Sequence, residues 1–223
     1  MTTTPSLPPS PPNSSRSGGL VIGVLALQGA FIEHVNILLA IPMVARAPLV
    51  RQLEDLEDLD ALIIPGGEST TIALIAQRSG IWEALRDFGT RRPVWGTCAG
   101  LILLSEKAEN TKKGGQELLG LLPITVLRNR FGSQTDSFET HLSVPVLGQD
   151  FLALFIRAPV IESVREGEGV EVMAKLENGE IVAVRKDDIL GCAFHPELTG
   201  DRRWHQYFVG MAGEARERRS RLC

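Results

Sequence analysis

Residues 93–104, Pro-Val-Trp-Gly-Thr-Cys-Ala-Gly-Leu-Ile-Leu-Leu, decide the fold. An apolar run comes first, a cysteine then stands between two glycines, and a second apolar run with helical character follows. Flanking glycines relieve crowding where a strand turns sharply into a helix, and they leave the residue near the turn exposed above the sheet. The stretch therefore predicts a strand, a strained turn and a helix, with Cys98 at the turn.

The same alternation extends N-terminally from this stretch. Segments 20–27 and 61–64 are short and apolar, whereas segments 30–40 and 69–88 are amphipathic. Apolar runs of strand length, separated by helical periodicity, are typical of parallel strands that helices cover on both faces. We therefore predict an α/β fold, a three-layer sandwich with a mostly parallel central sheet flanked by helices.

The second half of the chain has a different pattern. Between Leu121 and Phe194 the apolar segments are shorter and more strand-like, among them 141–147 and 151–161. Glu177-Asn178-Gly179 is a turn signal between two such segments and predicts a hairpin. We expect antiparallel additions to the sheet here, followed by a helix that begins near Asp201.

Length and composition predict one domain. The chain has 223 residues and a hydrophobic fraction of 43%, which suffices for one substantial core. Residues 1–19 are rich in Pro, Ser and Thr and predict a disordered tail. They have too few apolar side chains for burial to offset the conformational entropy that is lost on ordering. Residues 20–213 are the expected globular domain, and residues 214–223 form an expected charged C-terminal tail.

Charge and cysteine content narrow the class of protein further. A net charge of -4 disfavours binding to nucleic acid or to an anionic membrane, because both are negatively charged and bind positively charged protein surfaces. The three cysteines lack metal-ligand spacing and suggest neither a disulfide framework nor a metal site. We therefore expect a cytoplasmic protein without a metal. A transit peptide in residues 1–19 is the less favoured alternative, because the segment carries only Arg16 as a basic residue.

Three residues form a candidate catalytic triad. His195 and Glu197 follow a strand-like segment, so they are expected at the carboxyl edge of the sheet together with Cys98. Pro196 favours an extended His195, which directs His195 and Glu197 to the same side of the chain. Cys98 is the predicted nucleophile, His195 its base, and Glu197 the group that fixes the histidine tautomer.

A glycine-rich turn supplies the candidate oxyanion hole. Residues 65–70, Pro-Gly-Gly-Glu-Ser-Thr, lie between a buried strand and a helix. Backbone N–H groups at such a turn bind anions, and we expect the N–H groups of Gly67 and Ala99 to hold the oxyanion of an acyl intermediate. A phosphate-binding loop is the competing interpretation, although the Walker lysine is absent.

Together these motifs resemble those of a known family. PGGES, GTCAG and HPE, in this order, resemble class I glutamine amidotransferases, whose Cys-His-Glu triad maps onto Cys98, His195 and Glu197. A narrower resemblance, from about Leu20 to about Val209, is to the PdxT/SNO family, the glutaminase subunits of pyridoxal 5'-phosphate synthase. The segments that carry it are LALQGAFIEH, PGGESTT, GTCAGLILL, RNRFGSQTDSFE, FIRAP and GCAFHPELTGD.

This resemblance implies a set of glutamine-binding residues. They are Gly67, Glu68, Ser69, Arg128, Ile156 and Arg157. The arginines suit this role, because a guanidinium clamps the α-carboxylate of free glutamine through two hydrogen bonds. The chain departs from the family at Ser133, where an arginine is usual, and Gln28 matches a position near the oxyanion region.

The resemblance also implies an activity and a partner. The family hydrolyses L-glutamine to L-glutamate and delivers ammonia to a TIM-barrel synthase subunit in a large hetero-oligomer, with no cofactor in the glutaminase itself. Two alternatives stay open: a glutaminase subunit of imidazole glycerol phosphate synthase, and a redox sensor or binding module built around Cys98. His34 and His205 lie in helical segments and are predicted to be structural.

Overall fold

The computed structural model describes residues 18–109, 115–128, 137–148 and 150–222. The strands are β1 (Leu20–Leu25), β2 (Val44–Arg46), β3 (Leu49–Val50), β4 (Ala61–Ile64), β5 (Val94–Thr97), β6 (Ser105–Glu109), β7 (Leu122–Leu127), β8 (Ser137–Leu142), β9 (Phe151–Ile156), β10 (Val160–Val164), β11 (Glu171–Lys175), β12 (Ile181–Lys186) and β13 (Ile189–Cys192). The α-helices are α1 (Phe31–Leu39), α2 (Ser69–Arg78), α3 (Trp82–Gly89), α4 (Ala99–Leu104) and α5 (Arg203–Ser220). Short 3-10 helices cover Leu53–Leu56, Pro145–Leu147 and Pro196–Leu198.

One half of the central sheet is parallel. Strands β2, β1, β4, β5 and β13 lie side by side in that order and run in the same direction, and β3 also pairs in parallel with β1. Strands β1, β4, β5 and β13 are buried along their whole length, as expected for strands covered on both faces. The carboxyl ends of β4, β5 and β13 therefore meet at one edge, where Ile64 pairs with Gly96, and Thr97 with Cys192.

The other half of the sheet is mostly antiparallel. β12 pairs antiparallel with β13, β11 and β10, β10 pairs antiparallel with β7, and β6 joins the edge in parallel with β7. A separate two-stranded antiparallel sheet is formed by β8 and β9. The predicted α/β fold with antiparallel additions is confirmed. The predicted hairpin is also confirmed, since β11 and β12 flank a turn in which Gly179 has φ of 87°.

Several elements differ from the sequence pattern. The single amphipathic stretch 69–88 forms two helices, α2 and α3, because Gly80 adopts a φ of 75° between them. The segment 151–161 forms two strands, β9 and β10, in different sheets. The apolar pattern of the sequence did not predict strands β2 and β3, because they have only three and two residues.

Helix α4 packs very closely on the sheet. A Cβ atom built on Gly100 would lie 2.0 Å from the carbonyl oxygen of Ile64 in β4, so only glycine fits at this position. This close approach places the start of α4 directly against the carboxyl end of β4. The turn that carries Cys98 is thereby held beside the loop that follows β4.

The C-terminal helix ends beside the start of β1. α5 continues to Ser220 and so crosses the expected domain boundary at Gly213. Arg216 donates from Nη1 to the carbonyl oxygens of Gly18 and Gly19, at 3.1 and 3.3 Å, just before β1 begins. Across the described ranges, no helix is long and apolar enough to cross a membrane.

Candidate active site

Cys98 occupies the turn between β5 and α4, where the sequence predicted it. Its backbone φ is 48° and its ψ is -101°, a conformation that residues other than glycine rarely adopt. The N–H of Cys98 donates to the carbonyl oxygen of Cys192 at 2.8 Å, which fixes the turn to the neighbouring strand β13. The turn thus places a constrained cysteine at the carboxyl edge of the sheet, the position of nucleophiles in folds of this type.

His195 and Glu197 follow β13 directly. The N–H of His195 donates to the carbonyl oxygen of Leu154 in β9 at 2.8 Å, and Glu197 lies in the short 3-10 helix that follows. His195 Nδ1 lies 2.6 Å from Oε1 of Glu197, so the carboxylate orients the imidazole ring. His195 and Glu197 are only 7% and 5% exposed. The two residues therefore stand in the relation that the sequence predicted.

Cys98 and His195 are brought together by the same sheet edge. Although burial opposes the charged form, hydrogen bonds with Cys98 and Glu197 and the charges of these groups raise the pKa of His195 to about 10. Because Nδ1 is occupied by Glu197, Nε2 is the ring nitrogen left for the thiol. A pKa raised above neutrality means that His195 holds a proton beside Cys98, which is the proton that a leaving group needs later.

Gly66 lines the space beside both residues. A Cβ atom built on Gly66 would lie 2.4 Å from Cε1 of His195 and 3.3 Å from Cβ of Cys98. Any larger side chain at this position would push the histidine out of place. The glycine loop after β4 is therefore in direct contact with the nucleophile and its base.

The glycine loop has a fixed backbone orientation. The carbonyl oxygen of Gly66 accepts from the N–H of Ala30 at 3.1 Å, and the N–H of Glu68 donates to Oε1 of Gln28 at 2.7 Å. Since the C=O and N–H of one peptide unit point in opposite directions, the N–H of Gly67 is directed away from Ala30. Gln28, which the sequence placed near the oxyanion region, thus holds the loop.

Ala99 is the first residue of α4 and is buried. The first N–H groups of a helix have no partner within the helix, so the N–H of Ala99 is suited to binding an anion beside Cys98. Of the two predicted oxyanion donors, Gly67 follows Gly66, which contacts His195 and Cys98, and Ala99 follows Cys98 itself. Their roles remain a prediction.

Glu68 caps helix α2 and also engages Arg128. Its carboxylate accepts from the backbone N–H groups of Thr70 and Thr71, at 3.2 and 2.8 Å, and from Nη2 of Arg128 at 3.2 Å. Although partial burial opposes ionisation, hydrogen bonds from Thr71 and Thr70 lower the pKa of Glu68 to about 2. A charged Glu68 therefore orients the Arg128 guanidinium, which emerges from the end of β7.

Gln116 is a residue that the sequence analysis missed. Its Oε1 accepts from the hydroxyl of Ser69 at 3.0 Å and from that of Thr70 at 3.5 Å, while its Nε2 is buried without a partner among the described residues. No motif surrounds Gln116, so only the folded contact with Ser69 reveals it. The start of α2 is thus held by a side chain from the segment before β7.

Ile156 and Arg157 end strand β9, two residues beyond the contact between Leu154 and His195. Ile156 is half-buried and Arg157 is exposed. Arg157 has a positive backbone φ of 43°. Four non-glycine residues in the described ranges have a positive φ, and two of them, Cys98 and Arg157, are predicted site residues. This end of β9 brings the second predicted glutamine-binding arginine to the same edge as His195.

A histidine of α1 adjoins the triad from behind. His34 Nε2 lies 3.5 Å from Oε2 of Glu197. Nothing in the sequence signals this contact, because a histidine on an amphipathic helix matches any buried position. Ser133 and its neighbours in 129–136 lie outside the described residues. In the ranges that are described, no group of three or more His, Cys, Asp or Glu side chains is arranged to hold a metal ion.

Comparisons with known proteins agree with this geometry. The SNO glutamine amidotransferase family matches residues 24–214. The pyridoxal 5'-phosphate synthase subunit PdxT of Herpetosiphon aurantiacus is 50% identical over 194 residues, 86% of this chain and 100% of its own length. The subunit of the same name from Dehalococcoides mccartyi is 51% identical over 193 residues, 86% of this chain and 96% of its own length.

Solved structures extend the comparison. A crystal structure of a glutamine amidotransferase is 46% identical, with a TM-score of 0.77 and coverage of 86% of this chain and 98% of its own. The structure of PurLQS from Thermotoga maritima, at 15% identity and a TM-score of 0.65, covers 86% of this chain and 98% of its own and shares the fold. The chain therefore belongs to the SNO glutamine amidotransferase family.

Proposed function

We propose that this chain is the glutaminase subunit of a pyridoxal 5'-phosphate synthase, which hydrolyses L-glutamine to L-glutamate and passes the ammonia to a synthase subunit. The observation that carries the proposal is the arrangement of His195 between Cys98 and Glu197 at the carboxyl edge of the sheet. The relatives at about half identity, named as subunits of pyridoxal 5'-phosphate synthase, support the same assignment. We assign the activity to residues 20–213.

The proposed reaction proceeds through a thioester on Cys98. His195 accepts the thiol proton, and the sulfur attacks the carbonyl carbon of the glutamine side chain. The N–H groups of Gly67 and Ala99 stabilise the oxyanion of the tetrahedral intermediate. The proton on His195 passes to the amide nitrogen as the C–N bond breaks, which releases ammonia and leaves a glutamyl thioester.

Water completes the cycle. His195 takes a proton from a water molecule, and the resulting hydroxide attacks the thioester carbon. The C–S bond then breaks, glutamate leaves, and the proton held by His195 returns to the sulfur of Cys98. The reaction uses no metal ion and no bound cofactor, and Glu197 keeps His195 in the tautomer that both steps need.

Arg128 and Arg157 are the proposed anchors for the amino-acid end of glutamine. Arg128 is already oriented by Glu68 at 3.2 Å, so its guanidinium is positioned before the substrate arrives. A planar guanidinium binds a carboxylate through two parallel hydrogen bonds, which selects free glutamine over glutamine within a peptide. Gly67, Glu68, Ser69 and Ile156 are the other proposed glutamine-binding residues.

Delivery to a partner follows from the chemistry of ammonia. Free ammonia is protonated in bulk water near neutral pH and is then no longer a nucleophile. Direct transfer of ammonia from the glutaminase to the synthase subunit avoids this loss. We assign the carbon chemistry to a TIM-barrel synthase subunit, assembled with this chain in a large cytoplasmic hetero-oligomer.

The experiment is glutamate release from L-glutamine by the wild type, Cys98→Ala and Cys192→Ala, each with and without the synthase subunit. Cys192 is the matched control, since it is fully buried in the neighbouring strand and plays no part in the proposed reaction. We expect the wild type and Cys192→Ala to release glutamate when the synthase is present, and Cys98→Ala to release none. Absence of glutamate although the complex forms would overturn the glutaminase assignment in favour of a redox or binding function for Cys98.

A further inference from the structure

A row of buried polar side chains lies behind the triad. His34 on α1 and His205 on α5 are both 0% exposed, and Thr97 at the end of β5 is equally buried. His34 Nδ1 lies 2.9 Å from Nε2 of His205, and His34 Nε2 lies 3.3 Å from Oγ1 of Thr97. The proposed reaction uses none of these three residues. Polar groups buried in this way normally have a hydrogen-bond partner.

That partner is the second oxygen of Glu197. Oε1 of Glu197 bonds His195 at 2.6 Å, whereas Oε2 is buried and makes no hydrogen bond of ordinary length with any described residue. His34 Nε2 lies 3.5 Å from Oε2 of Glu197. A buried carboxylate is costly unless hydrogen-bond donors reach it. Catalytic hydrogen bonds are often long without substrate and shorten when it binds.

His34 is neutral in this environment. Burial, together with the nearby His205 and His195, lowers the pKa of His34 well below its ordinary value. Burial also lowers the pKa of His205 to about 3. Each ring therefore carries one N–H, and the two rings share one hydrogen at their contact.

Only one of the two tautomers suits Glu197. If His34 donated from Nδ1 to His205, its unprotonated Nε2 would face the carboxylate, and Nδ1–H of His205 would be a buried donor with no acceptor among the described residues. If His205 donates from Nε2 instead, His34 carries its hydrogen on Nε2, which faces both Oγ1 of Thr97 at 3.3 Å and Oε2 of Glu197 at 3.5 Å. Only the carboxylate oxygen lacks another donor, since the Thr97 hydroxyl both donates and accepts. The unpartnered Nδ1 of His205 is then a lone pair and not an N–H.

We propose that His34 is a positioning residue for the triad: its Nε2–H donates to Oε2 of Glu197, and His205 fixes this tautomer by donating to Nδ1 of His34. The inference rests on the proposed glutaminase function. The ionisable groups that face His34 are His205 from α5, and Glu197 and His195 from the loop after β13, with Cys98 beyond His195. Glu197 is thereby held between two histidines and keeps its charge and its angle toward His195.

Loss of the donor has a specific expected signature. Without Nε2–H of His34, Oε2 of Glu197 has no donor, so the carboxylate is free to rotate and holds His195 less well. The chemical step is then impaired, whereas the glutamine-binding side of the site is unchanged. A lower kcat with a constant KM is the pattern expected for a residue that positions the triad.

The test compares His34→Leu and His34→Gln with the wild type in the assembled complex with the synthase. Loss of a group that orients a catalytic side chain typically reduces activity about 10- to 100-fold, so we expect a fall of this size in kcat for His34→Leu. His34→Gln should recover most of it, because the amide is a donor that does not titrate. His141→Leu, which removes an exposed histidine of β8, is the matched control and should leave kcat unchanged.

Two measurements on the isolated subunit separate this inference from the proposed function. The first is the pH dependence of Cys98 alkylation by iodoacetamide, located by mass spectrometry, which should shift upward in His34→Leu and return in His34→Gln. The second is the tautomer of His34 from long-range ¹H–¹⁵N spectra, which should show the hydrogen on Nε2. Neither needs glutamine hydrolysis, so both report on His34 even if the wild type released no glutamate. A hydrogen on Nδ1, or a folded His34→Leu with the wild-type kcat and pH profiles, would overturn the inference.

Discussion

The triad and the glutamine-binding side of the site are built in different ways. His195 and Glu197 follow a central strand, are almost fully buried and are backed by His34 at 0% exposure. On the other side, Glu68 has a side chain that is 42% exposed and meets Arg128 at 3.2 Å across a half-open surface. The proposed chemistry thus rests on the core of the sheet, whereas the proposed glutamine contacts rest on loop ends, which are easier to alter.

The largest effect is expected on the buried side, for Glu197→Gln. The amide keeps the size of the side chain but removes the charge that stabilises protonated His195. By analogy with triads that lose their carboxylate, kcat should fall about 10,000-fold with little change in KM. Steady-state glutamate release in the complex measures this. Glu177→Gln, in the exposed hairpin turn, is the control, and an equal loss in both variants would contradict the prediction.

The second prediction probes how tightly the glycine loop fits the triad. In Gly66→Ala the new methyl group would lie 2.4 Å from Cε1 of His195, so the ring must move. Displacement of a catalytic group by about 1 Å can cost about 100-fold in rate, and we expect a loss of this order. Gly210→Ala meets nothing within 4 Å and should retain full activity. A fully active Gly66→Ala would show that the buried side is less rigid than the comparison states.

A smaller effect of a different kind is expected on the open side. Arg128→Lys keeps the positive charge but loses the planar fork that binds a carboxylate at two points. We expect KM for glutamine to rise about 10-fold, the equivalent of one strong hydrogen bond, with kcat nearly constant. Arg78→Lys, on the exposed end of α2, controls for the substitution. A fall in kcat without a rise in KM would place Arg128 with the triad instead.

The smallest effect concerns the capping role of Glu68. Because its carboxylate accepts from the first N–H groups of α2, Glu68→Ala should lower the free energy of unfolding by about 1 kcal/mol at pH 7. The folded-state pKa of Glu68 is about 2 against an ordinary value of 4.5, so the stabilising charge is fully present above pH 4.5 and is lost as pH falls toward 2. Urea unfolding of both proteins across this range should show their difference narrowing. A gap that stayed constant with pH would exclude a contribution from the charge.

The sequence predicted the fold and the triad because their signals are local. Cys98 stands between glycines, and His195 and Glu197 are two residues apart, so each motif could be placed at a strand end without knowledge of the fold. His34 and His205 are 171 residues apart and meet only through the packing of α1 and α5. Gln116 likewise reaches Ser69 through tertiary packing alone. Such contacts leave no periodicity or spacing that a single sequence can reveal.

The bond between Arg216 and the residues before β1 has a consequence for engineering the molecule. Gly18 and the last helix meet at the amino edge of the parallel strands, whereas Cys98 and His195 lie at the carboxyl edge. A short peptide between Ser220 and Gly18 would therefore close the domain into a ring on the side away from the chemistry. New ends opened at the exposed Asn178-Gly179 turn would then give a circular permutant of the same domain.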